Sequence, residues 1–180
     1  MESFKANLLP VSFKTTINNR EATLGFVDVF ANRRIVIYSL PTLLTKFAWD
    51  QLRAYEEANQ QILNSGVDQI YCINSNAESR MLAYYASKFS QTVVALPDLN
   101  TTVLQAIQQE FSIDKELKDL ARLWQYIIIV NDGVPEKLFS NPLKKNMPLR
   151  IAKSRLYQYH NLGPDVVLKY LTTQEKISTI

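Results

Sequence analysis

The stretch Arg34-Ile-Val-Ile-Tyr-Ser-Leu-Pro41 decides the fold of this 180-residue chain. Its nearly continuous apolar run is typical of a strand buried on both faces, and Pro41 ends it. Over residues 45–64 the apolar residues recur at helical spacing, and Ser65-Gly66 closes that helix. A buried strand followed at once by an amphipathic helix indicates an α/β protein.

Strands and helices continue to alternate on either side of this unit. We predict further strands at residues 11–17, 22–29, 68–74, 92–96, 123–130 and 134–139. Helices are predicted from Ser75 to about residue 89, from a capping Asn100 to about residue 111, and from Gly163-Pro164 onward. Asn131-Asp132-Gly133 predicts a hairpin turn. The order favours one domain over residues 1–180, with a central mixed β-sheet and helices on both faces.

The composition excludes several classes of site. The chain has one Cys, one His and four isolated Gly. A single Cys forms no internal disulfide, and one Cys with one His does not supply the ligands of a zinc site. No glycine-rich phosphate loop is present. We therefore expect no metal and no nucleotide cofactor.

No run of about 18 apolar residues is present to span a bilayer. The first twenty residues contain Glu2, Lys5, Lys14 and Arg20 and no continuous apolar segment of the kind found in signal peptides. These features predict a cytoplasmic protein that does not enter a membrane.

Positive charge is concentrated in residues 137–161. This basic segment contains six basic residues and no acidic residue, so its charge is +6. The rest of the chain contains fourteen basic and seventeen acidic residues, so its charge is −3. A solvated surface is the simpler interpretation, and an acidic protein partner is the alternative. The segment matches no nucleic-acid-binding motif, which disfavours RNA or DNA. Its basic residues are Lys137, Lys144, Lys145, Arg150, Lys153 and Arg155.

Several stretches, taken in order, resemble the type-five peroxiredoxins. Besides residues 34–41 and Tyr55-Glu56-Glu57, they are Gly66-Val-Asp-Gln-Ile-Tyr-Cys-Ile73, Leu96-Pro-Asp98, Trp124-Gln-Tyr126, Asp132-Gly-Val134, Glu136-Lys137 and Leu168-Lys-Tyr-Leu171. Their order and most of their spacing are kept over about residues 10–172. The resemblance implies a thioredoxin-like fold and kinship with thiol peroxidases.

In that family a peroxidatic Cys follows the motif Pro-x-x-x-Thr-x-x-Cys at the start of the helix after the central strand. Here Pro41 and Thr45 match, but Ala48 occupies the position of the Cys. The Arg that the family places before the Tyr of a late strand aligns with Gln125. A methyl group does not attack a peroxide, and a neutral amide does not stabilise a thiolate by charge. We expect a catalytically inactive relative that serves as a binding or scaffold domain.

Two alternatives keep redox activity. Cys72, the only thiol, lies in a predicted central strand, where a small buried packing role is the simpler interpretation and a redox role the alternative. In the second alternative, Ala48 replaces a native cysteine of an active peroxidase.

The resemblance also implies a homodimer, because type-five relatives pair through loops beside the active site. In this chain those loops carry Leu43, Leu44, Phe47 and Trp49. Trp49 and Trp124 flank this site and share two interpretations, since they either pack in the core or line a small-ligand pocket or an interface.

Overall fold

The apolar run Arg34–Ser39 is the middle strand of a five-stranded sheet in the computed structural model, which describes residues 2–40, 46–76, 79–90, 92–113, 125–140 and 162–178. Within these ranges the elements are, in chain order, α1 (Glu2–Leu8), β1 (Ser12–Ile17), β2 (Arg20–Gly25), α2 (Phe26–Val29), β3 (Arg34–Ser39), α3 (Lys46–Asn64), β4 (Gln69–Asn74), α4 (Ser79–Phe89), β5 (Val93–Pro97), α5 (Thr102–Glu110), β6 (Tyr126–Asn131), β7 (Val134–Ser140) and α6 (Pro164–Ser178).

The strand order of the sheet is β5-β4-β3-β6-β7. The strands β3, β4 and β5 are parallel, whereas β6 is antiparallel to β3 and β7 is antiparallel to β6. Parallel neighbours require a crossover, which α3 supplies between β3 and β4 and α4 supplies between β4 and β5. The predicted mixed sheet is therefore confirmed.

Each face of the sheet carries its own apolar layer. On β3, Ile35 and Ile37 point to one face, Val36 and Tyr38 point to the other, and all four are fully buried. The first layer includes side chains of α1, α2 and α5, and the second includes side chains of α3, α4 and α6. Helices therefore cover both faces of the sheet, as predicted. Burial of each apolar side chain of this size stabilises the folded state by about 1.5–3 kcal/mol.

The N-terminal region corrects one sequence prediction. The hairpin of β1 and β2 forms a separate two-stranded sheet, but the strand predicted over residues 22–29 ends at Gly25 and the helix α2 follows. The Asp28 carboxylate accepts the Gly25 N–H at 2.8 Å, which starts the helical turn. Phe26 and Val29 are both buried, and their spacing of three residues suits a helix.

The start of α5 corrects a second prediction. The expected cap was Asn100, but the carboxylate that accepts the first N–H groups of α5 belongs to Asp98. Its oxygens lie 2.8 Å from the nitrogen of Thr102 and 3.1 Å from that of Val103. Thr101 has a φ of 56°, and this left-handed turn directs the helix start back towards Asp98.

The predicted hairpin between β6 and β7 is confirmed. Asp132 and Gly133 have φ values of 48° and 72°, which a type I′ turn requires. The Asp132 carboxylate accepts the Asn32 N–H at 2.8 Å and bonds the Lys5 ammonium at 3.1 Å. The turn therefore connects α1, the segment before β3 and the edge of the sheet.

Candidate functional site

The candidate site lies where β3 ends and α3 begins. Ala48 is in the first turn of α3, and its methyl group is 1% exposed within the second apolar layer. A helix N-terminus favours negative charge, so this turn is where a thiolate would be stabilised. The residue present there has no group that ionises or attacks a peroxide.

Several residues predicted around the site lie outside the described residues. These are Pro41, Thr45, Leu43, Leu44 and Trp124. The backbone of Phe47 is in α3, and the neighbouring side chain of Trp49 is half-buried.

Gln125 is 5% exposed and lies immediately before β6. The pairing of Tyr38 with Ile127 places it beside the C-terminal end of β3. Because side chains alternate along a strand, Gln125 shares the face of Ile127, which is the face that α3 covers. The structure thus brings Ala48 and Gln125 to the same side and the same end of the sheet, and Gln125 contributes no positive charge there.

The backbone beside Gln125 is held in place by the end of β3. The Tyr126 N–H donates to the Ser39 hydroxyl at 2.8 Å, and both residues are buried. This bond fixes the start of β6 against β3 at the point where the family places its activating Arg.

Cys72 lies in the middle of β4, between its neighbours Tyr38 on β3 and Ala95 on β5. The side chain is 0% exposed, and burial raises the pKa of the thiol from 9.0 to about 12, although the Tyr38 hydroxyl beside it acts in the opposite direction. Cys72 belongs to the layer under α3 but is on a different strand from the one that leads into that helix. The dipole of α3 therefore does not activate it.

Two stacked tyrosine rings contribute to the layer around Cys72. The ring centroids of Tyr38 and Tyr55 are 3.9 Å apart, with an angle of 3° between the ring planes. Burial, followed by the neighbouring Cys72 and Tyr55, raises the pKa of Tyr38 well above its ordinary value. This stack is absent from the sequence prediction, yet Tyr55 follows Ala48 and Leu52 at helical spacing on the buried face of α3.

Glu56 is a second group that sequence reasoning missed. Its carboxylate accepts hydrogen bonds from the hydroxyls of Ser90 and Thr92, the latter at 2.8 Å. These partners are 34 and 36 residues away, so no local pattern reveals them. The contact joins α3 to the segment that leads into β5.

Neither a metal cluster nor a membrane-spanning helix is found in the described ranges. No three His, Cys, Asp or Glu side chains there are placed to hold a metal ion. The helices there are too short or too polar to cross a bilayer. Among the basic residues of the basic segment, only Lys137 lies in these ranges. Its ammonium is 5.7 Å from the ring centroid of Phe139 and 5.9 Å from that of Tyr170.

Comparison with known proteins gives the family. The Redoxin family profile matches residues 5–156. The chain belongs to the redoxin family. This redoxin is 26% identical to the hybrid peroxiredoxin hyPrx5 of Haemophilus influenzae over 182 residues, which cover 98% of this chain and 70% of that protein. A peroxiredoxin of Rhizobium etli is 28% identical over 113 residues, with 62% of this chain and 63% of that protein covered.

Solved structures confirm the thioredoxin-like fold predicted for this redoxin. Reduced Prx3 from Vibrio vulnificus matches with a TM-score of 0.60 and 17% identity, over 92% of this chain and 96% of that one. The 1-Cys peroxiredoxin of Plasmodium falciparum matches with a TM-score of 0.56 and 18% identity, over 84% of this chain and 99% of that one. At these identities the likeness concerns the fold alone.

Proposed function

We propose that this redoxin does not reduce peroxides through a thiol and acts instead as a binding or scaffold domain. The observation that carries the proposal is the buried methyl group of Ala48 in the first turn of α3. Attack on the peroxide O–O bond requires a thiolate, which is converted to a sulfenic acid. Position 48 supplies no sulfur for that reaction.

The second missing group supports the same proposal. A positive charge beside the nucleophile lowers the pKa of a Cys, and the family uses an Arg for this purpose. Gln125 is neutral and buried at the matching position. The nucleophile and its activator act as a unit, so their joint replacement favours loss of the chemistry over a single isolated change.

The rival hypothesis, a redox protein that works through Cys72, requires a reactive thiolate in the core. With a pKa of about 12 and no exposed surface, Cys72 has neither the charge state nor the access that peroxide attack requires. The geometry favours a packing role for this thiol.

Sulfenate trapping separates the proposal from the rival hypothesis that uses Cys72. The reduced protein is treated with hydrogen peroxide and a sulfenate-trapping diketone, and the adducts are located by mass spectrometry. We expect no adduct at Cys72. A stoichiometric adduct there supports the rival hypothesis and contradicts the proposal.

Reconstruction of the site tests whether Ala48 replaces a native cysteine. Ala48→Cys alone should give little peroxide reduction, because Gln125 supplies no charge to stabilise the new thiolate. Adding Gln125→Arg should raise the rate. If Ala48→Cys alone restores rapid turnover, the remaining machinery is intact and the chain differs from an active peroxidase at position 48 only.

The proposal includes a homodimer, a cytoplasmic location and an acidic protein partner. The dimer is supported by the resemblance to type-five peroxiredoxins, and a monomer by light scattering at micromolar concentration would contradict it. Imaging of a fluorescent fusion tests the location. The partner is supported by the charge of the basic segment, and Lys144→Glu with Lys145→Glu should abolish its capture.

A further inference from the structure

The turn between β6 and β7 contains the one Asp-Gly pair of the sequence, Asp132-Gly133, and the sequence contains no Asn-Gly pair. An Asp-Gly pair is prone to cyclise, because glycine has no side chain to hinder attack of its nitrogen on the preceding carboxyl carbon. The Asp132 side chain is half-exposed, so water reaches it. The contacts of the folded chain therefore decide how fast this turn reacts.

The Asp132 carboxylate is held at both of its oxygens. Oδ1 accepts the Asn32 N–H at 2.8 Å, and Oδ2 accepts the Lys5 ammonium at 3.1 Å. These bonds, with that of Asn32 first, lower the pKa of Asp132, so the group is ionised near neutral pH. Attack on the carboxyl carbon expels an oxygen as water, which requires a protonated carboxyl group. Both contacts therefore slow the attack.

The attacking residue, Gly133, is confined as well. It is buried, and a Cβ built on it would lie 2.8 Å from the Phe26 ring and 3.3 Å from Cγ of Lys5. The Lys5 ammonium in turn lies 5.8 Å from the centroid of the Phe26 ring. Cyclisation has to rotate the peptide between Asp132 and Gly133, and close packing resists that rotation. Lys5 of α1 therefore covers both reacting groups.

We propose that Asp132 is a site of spontaneous isomerisation to isoaspartate and that Lys5 controls the rate. The Gly133 nitrogen bonds to Cγ of Asp132, and the carboxyl oxygen leaves as water with the amide proton. The resulting succinimide adds one water, and cleavage of its bond to the main-chain carbonyl carbon leaves the chain running through Cγ. No oxidant or reductant is consumed. The inference goes beyond the proposed function, since it does not depend on peroxide chemistry.

The modified residue does not fit the turn. Isoaspartate adds one carbon to the main chain and moves the carboxylate to the α-carbon. The turn pairs Asn131 with Val134 through φ values of 48° and 72° at its two central residues, and a longer backbone does not keep that geometry. The contacts with Asn32 and Lys5 are lost at the same time. The isomerised fraction should therefore unfold at a lower urea concentration than the unmodified protein.

Ageing of the full chain in warm buffer near neutral pH tests the proposal. Isoaspartate is counted by methyl transfer from S-adenosylmethionine with an isoaspartyl methyltransferase, and its position is found by electron-transfer fragmentation of peptides. We expect isoaspartate at position 132 in the native protein and in concentrated guanidinium. The native rate should be at least about tenfold lower, because reaction has to wait for local opening of α1 from the turn.

Variants of Lys5 test its control of the rate. Lys5→Gln should raise the native rate about threefold or more, because the ion pair is lost. Lys5→Arg keeps the charge and should retain the slow rate. Lys14→Gln removes the same charge from an exposed position of β1 and should change nothing. The unaltered protein in enough urea to match the stability of Lys5→Gln shows how much of the effect comes from global unfolding.

Three results would overturn the inference. They are an absence of isoaspartate at position 132 in either state, equal rates in the native and denatured protein, and a Lys5→Gln rate no higher than that of Lys14→Gln or of the urea-matched protein. None of them bears on peroxide reduction, which is measured separately on freshly purified protein.

Discussion

The prediction that follows most directly from the geometry concerns the reactivity of Cys72 in the native protein. A thiol reacts with an aromatic disulfide reagent as its thiolate. At about pH 8, a thiol of pKa 9.0 is about one-tenth ionised, whereas one of pKa about 12 is ionised in about one molecule in ten thousand. Native Cys72 should therefore react about a thousandfold more slowly than a free thiol from ionisation alone.

Burial slows the reaction further. The Cys72 side chain has no exposed surface, so the reagent reaches it only after local opening of the sheet and helix layer. Labelling should thus follow the opening equilibrium of the protein, with a rate that rises steeply as denaturant is added.

A chromogenic aromatic disulfide measures this rate by absorbance. The assay compares native protein, protein in concentrated guanidinium and a short cysteine peptide. In denaturant we expect one thiol per chain to react at the rate of the peptide. Cys72→Ser should give no signal in either state. If native Cys72 reacts within about tenfold of the peptide, the thiol is accessible and ionised, and the argument from burial is refuted.

Three substitutions, with one control, test the fold at the turn between β6 and β7 and at the start of α5. Gly133→Ala should lower the free energy of unfolding by about 2 kcal/mol or more, because φ is 72° and the new Cβ would lie 2.8 Å from the Phe26 ring. Gly25→Ala should cost less, because its new Cβ would make only ordinary contacts, at 3.7 Å from Asp28 and 3.9 Å from Val11. Burial raises the pKa of Asp98, so the free energy of unfolding should decline as pH rises from 3.8 through that raised pKa. Urea unfolding of Asp98→Asn over the same pH range should not show this decline. Hydrogen bonds that the Asp132 carboxylate accepts lower its pKa, so the stability that this carboxylate gives the fold should be lost on acidification. Asp132→Asn should therefore lower the free energy of unfolding near neutral pH but not at about pH 2.

The centre of the fold could be predicted from the sequence because its signals are local. The apolar run of β3 and the helical spacing of α3 each lie within one element, so the sequence places Ala48 at the start of α3 correctly. Gln125 was assigned through the family resemblance, within a strand predicted over residues 123–130; in the structure it immediately precedes β6 and lies beside the end of β3.

The features that escaped prediction depend on contacts between distant elements or on backbone angles. The residues before α2 alternate like a strand, and the change to a helix depends on the bond between Asp28 and Gly25. Asp98 replaces Asn100 as the cap of α5 because Thr101 takes a left-handed conformation, which composition does not reveal.

The chemistry of the candidate site was only partly visible in the sequence. The strand position of Cys72 predicts burial, but the size of its pKa shift depends on the enclosure that the folded layers create. The partners of Glu56 likewise come from α3 and the β5 segment meeting in the folded chain.

Peroxide turnover by the purified redoxin tests the central claim most directly. Consumption of hydrogen peroxide and of an organic hydroperoxide is followed with dithiothreitol as the thiol donor, for the unaltered chain and for Cys72→Ser. We expect both proteins to match the rate of dithiothreitol alone. Turnover by the unaltered chain well above that rate would contradict the claim, and its loss in Cys72→Ser would identify the buried thiol as the nucleophile.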